Sequence, residues 1–313
     1  MKIINKEETL GLIDFPGLIK TAEEAYSIQS SGTQKSAYYI NMPINKGDFA
    51  HYKVGFKPES KYFVLKYSGG FWSNGGDNSY GYVIVHDSST GEPLYMFQDN
   101  DTITNYRTAA AGAFTSKLLS NEDSHRVGLI GTGIQARLQI EALTHVRNID
   151  TVKVWGRNEE KVDIYVEEMQ AKFPKIKFVK CQNPEEATIE TDILVTVTYS
   201  DKPIIMPEWL KPGMHIAAVG ACGPEMQEFD SKAMSVASKV YVDSIDKAAL
   251  DGELHHALED GGFKLSDLTG ELGEVVNGKV KGREGQDEIT FADLVGLGIQ
   301  DATAAEYLLS KLQ

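Results

Sequence analysis

The chain has 313 residues, with 31 basic and 45 acidic side chains and a net charge of −14. That acidic balance opposes polyanions, which excludes non-specific nucleic-acid binding and a polybasic membrane patch. Apolar residues at 42% and charged residues at 24% match an ordinary globular protein rather than a disordered one, and the length suits about two domains. No apolar run approaches the roughly 18 residues of a bilayer span. The opening residues MKIINKEETLGLIDF carry charges where a signal peptide needs an unbroken apolar core. Cys181 and Cys222 are too few for a disulfide framework or a cysteine zinc site. A soluble protein of a reducing, cytoplasmic compartment is expected.

Residues 16–31 open near Pro16 and carry apolar Leu18, Ile19, Ala22 and Ala25, predicting a helix. Between 35 and 98, short runs follow one another: Ala37 to Ile40, Ala50 to Phe56, Tyr62 to Tyr67, Tyr80 to His86 and Pro93 to Phe97. Turn clusters such as SNGGDNS at 73–79 and DSSTGEP at 87–93 separate them, the pattern of an antiparallel sheet. A long Ala-rich helix is expected from Asp101 to Leu119.

The rhythm then changes. Arg126 to Ile130, Thr151 to Trp155, Ile176 to Val179, Asp192 to Thr198, His215 to Gly220 and Val240 to Asp243 read as buried strands. Helical segments at Gln135 to Val146 and 158–172 lie between them. Strands alternating with helices predict an α/β fold with a Rossmann-type, doubly wound parallel sheet over residues 121–291, beside a second α+β domain. A last helix is expected from Phe291 to Leu312.

The strongest local signal is Gly131-Thr132-Gly133-Ile134-Gln135-Ala136, a GxGxxA closing a strand and opening a helix. The first glycine allows the tight turn, and the second lets a pyrophosphate reach the backbone. The small third residue lets the helix pack close. The helix N-terminus adds free N–H groups and a partial positive charge. An NAD-binding acid belongs about 20 residues on, at the tip of the second strand. There the chain reads Val154-Trp155-Gly156-Arg157-Asn158, with no carboxylate. Arg157 suits a 2′-phosphate and favours NADP over NAD; otherwise it stacks on adenine or faces solvent. Glu159 and Glu160 come too late to be the acid.

Lys66 interrupts the apolar run Tyr62 to Tyr67, and Lys53 does the same in His51 to Phe56. Each is either a ligand for an anion or a lysine on a half-exposed face. Arg107, among small residues in Tyr106 to Ala111, suits a bidentate carboxylate or phosphate, or else a structural ion pair. No HExxH or other spaced histidine pair occurs, so no metal is expected, and there is no GxSxG nucleophile elbow.

Taken together, Lys66, Tyr106-Arg107-Thr108-Ala109-Ala110-Ala111 and the GTGIQA turn resemble the ornithine cyclodeaminase/mu-crystallin family. Val219-Gly220-Ala221 with Glu228, Gly282-Arg283 and Asp293 through Asp301 extend the resemblance over about residues 50 to 310. The resemblance implies a homodimer. It also implies that residues 292–313 return to residues 1–120 to complete a substrate-binding and dimerisation domain. Lys66 and Arg107 would then hold the substrate carboxylate, with Lys66 also assisting proton transfer. Cofactor contacts are implied at Arg107, Thr108, Gly131, Thr132, Gly133, Ile134 and Gln135. Further contacts are implied at Gly156, Arg157, Asn158, Thr196, Val197, Thr198, Val219 and Ala221. Lys53-Val54-Gly55-Phe56 and Asp293 through Asp301 look like iminosuccinate-reductase-type members, and three cations (Lys53, Lys66 and Arg107) suit a dicarboxylate.

Two positions depart from the family pattern. Cys222 stands where the cyclodeaminases carry a catalytic Asp, and a neutral thiol is a poor manager of amine protons. Near 35–40, where many members place an Arg or Lys after a proline pair, this chain reads Lys35-Ser36-Ala37-Tyr38-Tyr39. The expected activity is NAD(P)H-dependent reduction of a small α-imino acid, iminosuccinate-like or alanine-dehydrogenase-like, to the L-amino acid. Ornithine or lysine cyclodeamination with recycled NAD, cyclic ketimine reduction and a crystallin-like dinucleotide-binding protein are the alternatives.

Overall fold

The computed structural model describes residues 1–32, 39–46, 48–71, 73 and 79–312. The start of the strand expected at Ala37, the Lys35 to Tyr38 departure and most of the 73–79 turn lie outside them. The chain forms two compact units, Met1–Thr108 with Gly296–Gln313, and Ala109–Val295. Among the described residues no helix is long and apolar enough to cross a membrane.

The first unit opens with β1 (Lys2–Ile4), α1 (Lys6–Leu12) and α2 (Phe15–Gln29). Asp14 caps α2 by accepting the Gly17 N–H at 2.7 Å, and Leu18, Ile19, Ala22 and Ala25 are buried on its inner face. Five strands follow: β2 (Tyr39–Asn45), β3 (Asp48–Phe56), β4 (Tyr62–Gly70), β5 (Ser79–Asp87) and β6 (Pro93–Phe97). They pair antiparallel in sequence order, and β1 adds to β6 in parallel, giving a six-stranded sheet. Strand alternation sorts the side chains by face. Val64 and Lys66 of β4 are buried, while Phe63, Leu65 and Tyr67 are half-exposed on the other side. Lys53 lies directly opposite Lys66, so both lysines share the inner face. The terminal helix, Gly298–Ser310, packs on α2, β3 and β4. A Cβ on Gly55 would overlap the Gly298 carbonyl, and one on Gly298 would overlap the Val54 carbonyl, so helix start and strand meet at close range.

The long helix α3 (Thr102–Leu119) crosses from one unit into the other between Thr108 and Ala109. The buried Asp99 carboxylate caps its start, accepting the Ile103 N–H and, at 2.9 Å, the Thr104 hydroxyl.

In the second unit, β7 (Arg126–Ile130), α4 (Ile134–Leu143), β8 (Thr151–Trp155), α5 (Glu159–Lys172) and β9 (Lys177–Lys180) alternate. After α6 (Pro184–Thr188) come β10 (Ile193–Thr196), β11 (Asp201–Ile205), β12 (His215–Ala218) and β13 (Gln227–Phe229). The unit continues through β14 (Lys239–Val242), α7 (Ile245–Ala248), α8 (Gly252–Glu259), β15 (Gly270–Glu271), α9 (Leu272–Val276) and β16 (Thr290–Asp293). Eight strands form one parallel sheet in the order β15-β14-β16-β12-β10-β7-β8-β9, with the chain reversing direction of growth at β7, and β11 pairs with β13 beside it. This is the Rossmann-type doubly wound arrangement. Its core includes Ile130, Leu194, Ile216, Phe229 and Phe291, the last two meeting edge to face with centroids 4.9 Å apart.

One expected element is corrected. The helix placed at Phe291 to Leu312 is a strand, β16, followed by a helix that starts only at Gly298. Phe291 to Asp293 pair on both sides, with β12 and β14, and Gly296 breaks the chain at φ +76. The apolar spacing of Phe291, Leu294, Leu297 and Ile299 fits a helix as well as a strand, and pairing with two neighbours decides it. The division expected at 291/292 therefore moves to 295/296, and the one at 120/121 to 108/109.

Candidate functional site

The first unit gathers its charges around one carboxylate. Lys66 is 3% exposed, Arg107 5% and Asp301 1%. Asp301 Oδ1 accepts Arg107 Nε at 2.9 Å and pairs with Lys66 Nζ at 3.5 Å. Burial alone would raise the Asp301 carboxyl, but the facing Arg107, Lys66 and Lys53 charges outweigh it and hold it below the usual carboxylate range. Gln300 Oε1 accepts Arg107 Nη1 at 3.3 Å and the Leu297 N–H at 2.9 Å. Among the described residues Arg107 Nη2 makes no hydrogen bond. Lys53 Nζ donates to the Gly296 carbonyl at 3.1 Å. A Cβ on Gly296 would stand 3.2 Å from Arg107 Nη1 and 3.3 Å from Lys53 Nζ, so this glycine keeps open the space between two cations. Lys53, Lys66 and Arg107 all act on Asp301, and a cluster of cations of this kind suits an anionic ligand. The expected trio of Lys53, Lys66 and Arg107 thus comes together. Asp301 and Gln300, quoted in the sequence without a role, are what orient it. The signal was an acid on the otherwise apolar face of the last helix.

The second unit carries the GTGIQA turn between β7 and α4. Gly131 has φ +122, and a Cβ there would lie 2.9 Å from the Val197 carbonyl. Gly133 is the N-cap of α4, donates no side-chain cap, and has open space where a Cβ would stand. The start of α4 carries no side-chain cap, which suits an anion cradle at a helix N-terminus. Ala136 is fully buried, with its carbonyl accepting the Tyr165 hydroxyl at 3.2 Å, so the small third residue of the motif serves close packing. Arg137, absent from the sequence reading, ties the turn by donating to the Thr132 and Gly133 carbonyls at 2.7 and 3.2 Å. These residues fit a dinucleotide pyrophosphate.

At the tip of β8, a Cβ on Gly156 would come 3.0 Å from Thr132 Cγ2. Arg157 and Asn158 are exposed, and the Asn158 side chain is occupied in capping α5 by accepting the Lys161 N–H at 3.0 Å. Thr196, Val197 and Thr198 end or follow β10, and Val219 and Ala221 follow β12. Thr196 is fully buried. Cys222 is half-buried just beyond Ala221. Among the described residues no group of three or more His, Cys, Asp or Glu could hold a metal ion.

Behind the β10 and β12 loops lies a cluster of buried acids. Burial pushes Glu228 up to about 7 and Asp293 up to about 8. Glu253 is raised well above its usual value by burial, then by the charges of Glu228 and Asp293. Asp243 and the Lys247 ammonium face Asp293 with opposite effects.

The profile of the ornithine cyclodeaminase/mu-crystallin family matches residues 5–313. The chain belongs to that family. Among its relatives, a Δ1-pyrroline-2-carboxylate reductase of Bacillus cereus is 39% identical over 233 residues, 74% of this chain and 70% of that one. An archaeal alanine dehydrogenase dimer with bound NAD superposes with a TM-score of 0.92 at 31% identity, over 100% of this chain and 97% of the other. The iminosuccinate reductase of Paracoccus denitrificans in complex with NAD+ superposes with a TM-score of 0.90 at 26% identity, over 99% and 95%. The family and its Rossmann-type fold are those the sequence motifs implied.

The buried acids set a pH dependence with a definite sign. Asp293 keeps its proton to about pH 8 in the folded chain, whereas in the unfolded chain it ionises near its ordinary value of about 4. Over that window the unfolded state binds fewer protons, so stability falls as pH rises. The urea midpoint is expected to drop between pH 6 and 8.5, and to drop less in Asp293→Asn. A midpoint equally pH-dependent in both chains would remove Asp293 from the account.

Proposed function

We propose that this protein is an NAD(P)H-dependent reductase of small α-imino acids, forming the L-amino acid and working reversibly as an amino-acid dehydrogenase. The observation that carries this reading is the Lys66–Arg107 pair held by Asp301 in one unit of a chain whose other unit bears the GTGIQA turn. Gly131, Thr132, Gly133, Ile134 and Gln135 would hold the pyrophosphate, and the bound coenzyme would supply the hydride. The chain's own residues do the rest. Arg107, fixed through Nε and Nη1, offers Nη2 to the α-carboxylate. Lys66, only loosely paired with Asp301 at 3.5 Å, shares that carboxylate and is placed to hold a proton for the substrate nitrogen. Orientation of this kind can contribute several kcal/mol to lowering the barrier.

Two finer points follow. Gly156 and exposed Arg157 favour a 2′-phosphate, hence NADP, although the alanine dehydrogenase and iminosuccinate reductase structures hold NAD. The grouping of Lys53 with Lys66 and Arg107 supports an imino dicarboxylate. The likeness to pyrroline-2-carboxylate reductases supports a second reading, a cyclic monocarboxylic imine. Cys222, in place of the expected Asp, weighs against cyclodeamination.

A homodimer is part of the proposal. Val54 and Phe56 of β3 are 39% and 40% exposed, and Ile40 and Met42 of β2 62% and 41%. By register they share the outer face of the sheet with Phe63, Leu65 and Ile84. An apolar sheet face of this extent calls for a partner. A second copy is the occupant supported by the alanine dehydrogenase dimer.

Oxidation of NADH or NADPH, followed by absorbance, is to be compared for oxaloacetate with ammonium, pyruvate with ammonium, and Δ1-pyrroline-2-carboxylate. Arg107→Ala is expected to lower kcat/KM about a thousandfold and Asp301→Asn about a hundredfold, with folding retained. Near-normal turnover in Arg107→Ala would sink the clamp. Arg157→Ala should cost about tenfold in kcat/KM with NADPH and little with NADH, as expected for one lost charge-assisted contact; equal effects would return the coenzyme to NAD. In sedimentation, Phe56→Asp should convert a dimer to a monomer, and a wild-type monomer would refute the pairing.

A further inference from the structure

Glu228 lies on β13, away from the two strands whose ends it joins. Its side chain has no exposure to solvent. Oε1 accepts the Thr198 N–H at 2.6 Å and the Thr198 hydroxyl at 2.7 Å, while Oε2 accepts the Gly220 N–H at 3.0 Å. Thr198 and Gly220 each stand two residues beyond the last residue of their strand, Thr196 of β10 and Ala218 of β12. Those strands are neighbours. One carboxylate therefore ties together the loops at the ends of two adjacent parallel strands.

The tie is closely built on both sides. A Cβ on Gly220 would overlap the Glu228 carboxylate, so glycine is required for the loop to reach it. The backbone that carries Glu228 is itself held, because Glu253 of α8 accepts the N–H groups of Glu228 and Phe229 at 2.7 and 3.1 Å. Burying two acids this close is unfavourable by itself, and the donors aimed at them offset part of that cost.

In a doubly wound sheet a dinucleotide spans the carboxyl edge on both sides of the phosphate turn. Here the turn lies at the end of β7, and Gly131 abuts the Val197 carbonyl of the β10 loop. Gly156 and Arg157, beyond β8, lie on the side of the adenosine half. The β10 and β12 loops are left for the other half.

We propose that Glu228 is a positioning residue that holds the β10 and β12 loops in the arrangement that receives the nicotinamide half of the coenzyme. The proposal rests on the coenzyme reading above and is independent of the substrate. A purely structural acid would affect both halves of the dinucleotide alike, whereas this one acts on one half.

The test is equilibrium binding by calorimetry to the full chain and to Glu228→Gln, which keeps the shape but turns an amide donor toward the Gly220 N–H. The ligands are NADH, NADPH, ADP-ribose and 2′-phospho-ADP-ribose. The variant is expected to bind the preferred reduced dinucleotide about tenfold more weakly and the matching ADP-ribose as tightly as the wild type. Equal weakening of both ligands, or of neither, overturns the proposal. If Glu228→Gln binds nothing, Glu228→Asp decides, since it keeps the charge and shortens its reach to the two loops: a selective loss of about threefold sustains the proposal, and a uniform or absent loss overturns it. A wild-type chain that binds a reduced dinucleotide but reduces no imino acid refutes the substrate reading alone. One that binds neither dinucleotide refutes the coenzyme reading and this proposal with it.

Discussion

Lys66, Arg107 and Asp301 are charged groups with almost no access to water, and each buried ion costs roughly several kcal/mol unless partners are at hand. That constraint shapes the first unit. A cation that must wait for an anionic ligand needs an internal counterion that stabilises it without consuming all its donors. Asp301 does this with one oxygen shared between Arg107 and Lys66. Gln300 holds a second guanidinium nitrogen, and the Gly296 carbonyl holds Lys53. The terminal helix is thereby committed to the sheet, and the glycine contact of Gly55 with Gly298 lets it approach closely enough for the charges to meet.

The second unit uses buried acids for a different end. There the donors are backbone N–H groups of loops, and the acids are Glu228, Glu253 and Asp293, each accepting from main chain. Loops at the carboxyl edge of a parallel sheet carry function because the rigid strands position them. A carboxylate that accepts from two such loops makes their spacing a property of the packed interior. The same burial raises the proton affinity of these acids, so the loops and the pH response of the fold share one origin.

Much was legible along the chain because its physical causes are local. The GTGIQA turn declares itself through glycines at fixed offsets between a buried strand and a helix. The antiparallel strands declare themselves through alternation, and α2 through its proline and apolar spacing. Short elements without such patterns went unseen, including β1, β11, β13 and α8. The pair β11 and β13 illustrates why: Asp201–Ile205 and Gln227–Phe229 are too brief for periodicity, and only their pairing with each other makes them strands.

What the sequence determined by itself was the inventory: a Rossmann-type half, a β-rich half, a phosphate turn, and three cations in apolar surroundings. What only the tertiary structure decided was partnership. Arg107 meets Asp301 across 194 positions of chain and Lys66 meets it across 235, and no local pattern encodes so distant a contact. Residues 290–293 likewise became a strand because β12 and β14 lie on either side to pair with them. Backbone conformation and glycine geometry are short-range and can be read residue by residue. The choice of a buried charge's counterion depends on which surfaces the finished fold brings together.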